Sequence, residues 1–239
     1  MSLGRTVANL FGYDLIRHKK SPTAASHLMN LVSRHGVDVV LDVGANEGQF
    51  ARQLRKRGYN GLIHSFEPGS QAFAHLERNS SDDPEWFVHH AALGSEPRMA
   101  KLNVPKSSDL SSLLEASPFG KERFNNIEPL DIEEVPVITL EHFFEQESEL
   151  SARRVLLKMD TQGYDLEVFK GLGSCLDNVC CLLSELSVQP IYADMPTYID
   201  ALKVYEGAGF TVTGLYPVSR DEDFSVIEFD CFMIRKGGR

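Results

Sequence analysis

The chain lacks any long apolar run. Nothing in it approaches the ~20 consecutive apolar residues that a membrane-spanning helix needs, which excludes such a span from the reading. Cysteine is scarce: Cys175, Cys180, Cys181 and Cys231 are the only four, and none forms a Cys-x-x-Cys pair. That spacing excludes a disulfide framework and the common zinc ribbons. Cys180 and Cys181 would point to opposite faces of a strand, and free thiols are expected. Positive charge is also short. With 24 Lys and Arg against 34 Asp and Glu, the net charge of −10 argues against nucleic acid as the partner. The one basic cluster, Arg17-His18-Lys19-Lys20, reads as a solvated helix end or linker. No repeat or low-complexity tract is visible. Arg5, Asn9, Asp14 and Arg17 break up the start of the chain, so no signal-peptide pattern is read and a cytoplasmic location is expected.

What is present suits one α/β domain. The 239 residues, 42% of them apolar, suffice for one sizeable core. Residues 1–20 are expected to be peripheral, followed by a helix over 22–35 with Leu28, Leu31 and Val32 on one face. Residues 1–36 thus form an N-terminal segment and helix ahead of a domain over 37–239. Val37 to Val43 is a nearly continuous apolar run, suited to a central parallel strand. A glycine turn, a helix to about Arg57, a strand over Leu62 to Phe66, a helix over 70–79 and a strand over Trp86 to His90 follow. This alternation predicts a doubly wound sheet. An insert at about 95–150 then interrupts it, with strands expected over Met99 to Val104 and Val135 to Leu140. The polar stretch 105–130 between them, carrying Pro105, Pro118 and Pro129, is expected to lie over the crevice as a lid. Strands resume at Val155 to Met159 and Val179 to Leu183, with helices from Gly163 to Gly171 and Pro196 to Glu206. Phe210 to Tyr216 and Val226 to Ile234 have no helix between them and predict a closing antiparallel hairpin.

The chemistry concentrates at strand ends. Asp42-Val43-Gly44-Ala45-Asn46-Glu47-Gly48 places glycines where a strand turns into a helix, so that a ligand can approach the backbone and unpaired N–H groups. Glu67 closes the next strand about twenty residues on, where a carboxylate can accept hydrogen bonds from ribose hydroxyls. A plain strand-helix turn with a surface glutamate is the weaker alternative. The Gly-x-Gly-x-x-Gly of dinucleotide folds is absent, because Asn46 stands at the middle glycine position. Asp42, two residues before Gly44, would suit a cationic or amine-bearing ligand, and S-adenosylmethionine (SAM) has both features.

Four motifs in order carry a resemblance. Asp42-Val43-Gly44-Ala45-Asn46-x-Gly48, Phe66-Glu67-Pro68, Ala92-Leu93-Gly94, and Leu157-Lys158-Met159-Asp160-Thr161-Gln162-Gly163-Tyr164-Asp165 together resemble the FkbM family of methyltransferases. The resemblance spans about residues 38 to 235. It implies a Rossmann-like, SAM-dependent fold, a mostly parallel seven-stranded sheet with a C-terminal antiparallel hairpin. It also implies methylation of a hydroxyl, often on a saccharide or polyketide. The family's cofactor positions fall on Asp42, Gly44, Asn46, Gly48 and Glu67, and Ala45, Pro68 and Ala92 in the same motifs complete the expected contacts. After Asp160 the family commonly reads Val-Glu-Gly-x-Glu, whereas this chain reads Thr161-Gln162-Gly163-Tyr164-Asp165.

Asp160, Glu185 and Asp165 are the candidate catalytic residues. Asp160 and Glu185 are expected to end neighbouring strands, on the side where ligands bind such sheets. Asp160 is the candidate general base or hydroxyl-orienting group. Asp165 has an equal claim as a favourable charge at a helix N-terminus. No metal is expected, although clustered carboxylates suit Mg²⁺. His89 and His90 cannot both face one site, and one of them is a candidate for the crevice wall. Phe143, Phe144, Phe210 and Phe232 read as core. Ser111 and Ser112 read as ordinary loop serines, with contact to a ligand carboxylate as the alternative. The expected reaction is O-methyl transfer from SAM to a small-molecule or glycan acceptor. A nicotinamide-dependent oxidoreductase and a non-catalytic SAM-binding scaffold are the rivals.

Overall fold

Thr23 starts the first helix, α1 (Ala24–His35), by accepting the Ser26 N–H on its hydroxyl. The computed structural model describes Val7, residues 10–12 and residues 22–235. The basic cluster at 17–20 and most of the segment expected to be peripheral lie outside the described residues. The chain then alternates as β1 (Val39–Val43), α2 (Gln49–Lys56), β2 (Leu62–Phe66), α3 (Ser70–Ser80) and β3 (Trp86–His89). All three strands run parallel, with β1 between β2 and β7 (Val155–Met159). Beyond β7 come α6 (Asp165–Lys170), β8 (Val179–Ser187), α7 (Tyr198–Gly207), β9 (Phe210–Arg220) and β10 (Val226–Arg235). The seven-stranded sheet has the order β3-β2-β1-β7-β8-β10-β9, with β10 antiparallel to both of its neighbours. The fold class and the closing hairpin are those expected.

The apolar runs explain the layering. Every residue of β1 and β7 is buried, as a strand covered on both faces must be. Leu28 and Leu31 of α1, Leu54 of α2 and Leu76 of α3 pack with Val40, Ile63 and Leu156. On the other face, Phe143 and Phe144 of α5 (Leu140–Gln146), Phe169 of α6 and Tyr205 of α7 pack with Val39, Leu41 and Leu157. Phe210 belongs to that second cluster and Phe232 to the first, so the aromatic residues read as core are core.

The insert is more regular than its composition predicts. β4 (Ala92–Leu93), β5 (Arg98–Pro105) and β6 (Pro129–Ile138) form a second sheet, with a small core of Ala92, Ala100, Leu102, Val135 and Val137. β6 begins well before Val135, because antiparallel pairing with β5 carries its acidic half as far as Val104↔Asp131. Between them lie a short turn of 3₁₀ helix at Ser108–Leu110 and α4 (Pro118–Arg123). Another difference concerns Glu185. It lies inside β8 and not at its end, because β10 continues the pairing past the last β7 residue and sets Asp230 opposite Glu185. α6 begins at Asp165 and β3 ends at His89.

Gly48 has a packing role. Its φ is +82°, and a Cβ there would fall 2.6 Å from the Trp86 ring and 2.9 Å from Leu76. Trp86 cannot yield easily, since its Nε1 donates to Ser65 Oγ at 3.0 Å. Gly48→Ala is therefore expected to destabilise the protein by about 1–3 kcal/mol, through backbone strain and overpacking. The shift of the urea unfolding midpoint measures it, and an unchanged midpoint would contradict this packing.

Candidate active site

The C-terminal ends of β1, β2 and β7 open into a cavity of about 480 Å³. The strand order spreads its lining across the sheet. Glu67, Pro68 and Ala92 stand at the β2 side, Gly44, Ala45 and Asn46 follow β1, and Asp160 follows β7. Glu185 and Asp230 continue the row on β8 and β10.

Beneath the row lies a buried ion pair. Asp42 of β1 stands in register between Ser65 of β2 and Lys158 of β7. Asp42 is fully buried, and only 8% of the Lys158 side chain is exposed. Lys158 Nζ lies 3.0 Å from Asp42 Oδ1, donates to the Gly44 carbonyl at 2.8 Å, and approaches Asp160 Oδ2 at 3.6 Å. Asp42 Oδ1 accepts no well-aligned hydrogen bond, so the ammonium charge is its partner; Oδ2 accepts Ser65 Oγ at 3.2 Å. Burial alone would pull the Lys158 pKa down, but the charges of Asp42 and Asp160 outweigh it and hold it above its usual value. Asp42, expected to meet an amine-bearing ligand, is not in the cavity lining, and its nearest cation is Lys158. Gly48 does not line the cavity either, and its bare Cα serves Trp86. Lys158 is a residue of this site that the motif spacing alone does not mark. A lysine inside the apolar run from Val155 to Met159, beside a strand carrying Asp42, was the signal.

The turn after β1 is tied to Glu67. Glu67 Oε2 accepts the Asn46 N–H and Oε1 the Gly69 N–H, each at 2.8 Å. Burial pushes the Glu67 carboxyl up to about 7, against the opposing pull of those two N–H groups and Lys158. Each oxygen keeps a further acceptor site for a hydroxyl, as a ribose-binding carboxylate requires. Gly44 must be glycine for a structural reason: at φ +71° its Cβ would fall 1.9 Å from the Asp160 carbonyl oxygen. The two strand ends therefore touch, which brings Asp160 to the cavity floor.

Gln162 organises the acids. Its Nε2 donates to Asp160 Oδ1 at 3.1 Å and to Glu185 Oε2 at 3.3 Å. Its Oε1 lies 2.9 Å from Tyr192 Oη, its carbonyl accepts Ser112 Oγ at 2.8 Å, and its backbone sits at φ +53°. Tyr192 Oη also reaches the Leu110 carbonyl at 3.0 Å. The insert residues Leu102, Ser108, Asp109 and Ser111 to Leu113 line the cavity, and Ser108 Oγ donates to Asn46 Oδ1 at 3.0 Å. The rest of the insert docks elsewhere, with Ser117 N–H on the Ile191 carbonyl at 2.9 Å. Burial and the neighbouring Asp160, Glu228 and Asp230 charges raise the Glu185 carboxyl well above its usual range. Burial, with Asp160, pushes Asp230 up to about 6.

Two sets of candidates fall outside the cavity. Asp165 is buried, accepts the Thr161 N–H at 2.9 Å and Ser184 Oγ at 2.6 Å, and does not line it. It fixes the loop after Asp160, in keeping with the structural alternative to a catalytic place. His89 meets His64 at 3.1 Å among Phe66 and Phe143, and burial pushes both histidines down to about 4. His90 meets the Pro68 carbonyl at 3.0 Å. Neither His89 nor His90 lines the cavity. Ser112 serves Gln162, and Ser111 is in the lining. Among the described residues no three His, Cys, Asp or Glu side chains form a metal-ligand set, and no helix is long and apolar enough to cross a membrane.

The family model for the methyltransferase FkbM domain matches residues 42–212. Among solved structures, the methyltransferase FkbM of Methylobacillus flagellatus KT aligns with a TM-score of 0.51 at 15% identity, over 82% of this chain and 43% of that one. The present chain thus spans less than half the length of that protein. An rRNA methylase of Streptococcus thermophilus aligns at a TM-score of 0.48 and 12% identity, over 89% of this chain and 96% of that one. The magnesium protoporphyrin IX methyltransferase of Synechocystis PCC 6803, solved with bound SAM, gives 0.45 and 10%, over 98% and 92%. At these identities the likeness is one of fold. No curated protein matches the chain.

Two stability measurements check the electrostatics. Lys158→Met leaves Asp42 buried without a counter-charge and is expected to cost about 3–5 kcal/mol, most of it recovered in the Asp42→Asn/Lys158→Met double variant. Equal destabilisation of both variants would contradict the pair. Asp230 titrates near 3.8 in the unfolded chain and near 6 when folded. The folded state therefore holds the extra proton in that window and loses stability as pH rises through it. Asp230→Asn is expected to raise the melting temperature most above pH 6, with the gain vanishing below about pH 4. A gain independent of pH would refute this titration.

Proposed function

Because the chain belongs to the FkbM family of methyltransferases, we propose that this crevice carries SAM-dependent O-methylation of a hydroxyl on a saccharide or polyketide-like acceptor. The methyltransferase match removes the support for a nicotinamide-dependent oxidoreductase, and the carboxylates lining the cavity speak for chemistry over a passive scaffold. When bound, the donor supplies an electrophilic methyl group on a cationic sulfur, to which the acceptor oxygen must be presented in line. The residues present fit such a donor. Glu67 has acceptor sites left for ribose hydroxyls, and Gly44, Ala45 and Asn46 bring main chain to the cavity wall, with Pro68 and Ala92 beside them.

The observation that carries the reading is the state of Asp160. Its carboxylate is tethered by Gln162 and approached by Lys158, yet 39% of its side chain remains exposed at the cavity. A hydroxyl held there is oriented by one oxygen of a fixed carboxylate, which takes up the proton as the oxygen is alkylated. Fixing two reacting groups in this way contributes up to ~7–11 kcal/mol in intramolecular models. A second assignment has its own observation. Burial and the neighbouring carboxylates raise the Glu185 carboxyl above the usual range, which makes it, once ionised, a stronger base than an ordinary carboxylate.

Single-turnover methyl transfer by Asp160→Asn and Glu185→Gln separates the two. With Asp160 as proton acceptor, Asp160→Asn is expected to slow the chemical step by ~10²–10⁴-fold at unchanged SAM affinity, and Glu185→Gln by less. The reverse order, with a parental rate that climbs as Glu185 deprotonates with rising pH, assigns the proton to Glu185. Chelator is expected to leave the parental rate unchanged. Near-parental rates in both variants would remove both assignments.

A further inference from the structure

The half of the crevice farthest from Glu67 has a different lining. Past the acids it is bounded by Ala24, Ala25 and Leu28 of α1, Val218 of β9 and Phe232 of β10, with Phe50 and the exposed Gln49 and Gln53 of α2 at its border. This wall is a fixed part of the fold. His27 of α1 stacks on Phe232 at 5.2 Å between centroids, and its Nδ1 lies 2.8 Å from Tyr216 Oη. Between the wall and the nucleoside side stand Asp160, Glu185 and Asp230. Lys158 gives its closest contact to Asp42 and only a 3.6 Å approach to Asp160, so negative charge is in surplus. The Asp230 side chain has no hydrogen-bond donor among the described residues, and Glu185 has one donor, on Oε2. The other cation of the lining, Arg57, is exposed at the end of α2, where solvent screens it.

We propose that the acceptor is a mainly apolar molecule bearing a protonated amine near its reacting hydroxyl, its body against the α1–β9–β10 wall and its amine at Glu185 and Asp230, which leaves Asp160 to the hydroxyl. The proposal rests on the methyltransferase reading of this crevice and narrows it. Apart from Gln49 and Gln53 at its exposed border, this wall offers few partners to a molecule with a hydroxyl on every carbon, so a bare saccharide would lose hydrogen bonds on entering. Neighbouring half-buried carboxylates repel one another, and an ammonium group relieves that repulsion while gaining charged hydrogen bonds. The same row repels phosphorylated or nucleotide-linked acceptors. The aliphatic body and the amine thus have separate, adjacent seats.

Calorimetric titration with n-octylamine, 1-octanol and octanoate tests this on a matched apolar body. The amine is expected to bind at least tenfold more tightly than the alcohol, and octanoate more weakly than either. Asp230→Asn should cut the preference for amine over alcohol at least threefold. Val218→Lys, at an exposed wall position, should weaken amine binding at least tenfold. Equal binding of amine and alcohol, preferred binding of octanoate, no amine binding, or an amine preference untouched in both variants would each overturn the proposal. SAM titrated into the same samples reports on the underlying reading separately. SAM binding without amine preference defeats only the acceptor assignment, whereas amine binding without SAM binding defeats the methyltransferase assignment of the crevice.

Discussion

The buried pair of Asp42 and Lys158 is the constraint on which the rest of the site depends. Parallel pairing of β1 and β7 sets the two residues directly opposite each other on the face that packs against α1 and α2. Neither charge could stay there alone, since removing an ion from water costs several kcal/mol even after relaxation. Together they form a crosslink between the central strands. The ammonium group also holds the Gly44 carbonyl, and the bare Gly44 allows the Asp160 carbonyl to approach it. The glycine turn and the C-terminal end of β7 are thereby locked to each other. A hydrophobic pair of equal volume would be no less stable by general experience, so the pair is explained by its position and not by the stability it adds.

The crevice above it is arranged against its own stability. Burial raises Glu67, Glu185 and Asp230, each a carboxylate that would prefer water. The compensation is local and specific. Two backbone N–H groups serve Glu67, and one amide of Gln162 serves both Asp160 and Glu185. Gln162 holds a backbone conformation uncommon outside glycine, and its other polar atoms reach Tyr192 and Ser112. The insert is therefore coupled to the acids by hydrogen bonds through one residue, Ser112 at its carbonyl and Leu110, by way of Tyr192, at its side chain. A neutral amide suits this place, because a carboxylate at residue 162 would meet two others with no proton to donate.

Much of this was legible in the sequence. The apolar run from Val39 to Val43, the turn to Gly48, the strand-end Glu67 and the two final strands with no helix between them follow from short-range pattern, and short-range pattern is what a single sequence records. Asp160 at the cavity and Glu67 beside the turn followed from strand ends alone. Asp42, Gly48, Asp165 and His89 share a feature that no local pattern shows. Each is near the crevice along the chain, and each points instead at a partner remote in sequence: Lys158, Trp86, Ser184 and His64.

The sequence by itself determined the alternation of strands and helices, the order of the motifs and the ends at which ligands meet the sheet, because periodicity and turn chemistry act over a few residues. Only the tertiary structure decided which carboxylate is free and which is already engaged. Register across β1 and β7 gave Asp42 to Lys158, and the antiparallel return of β10 drew Glu185 into a strand opposite Asp230. The charge state of a buried acid depends on neighbours within a few ångströms, and here those neighbours lie 116 residues apart for Asp42 and Lys158, a distance along the chain that no local pattern spans.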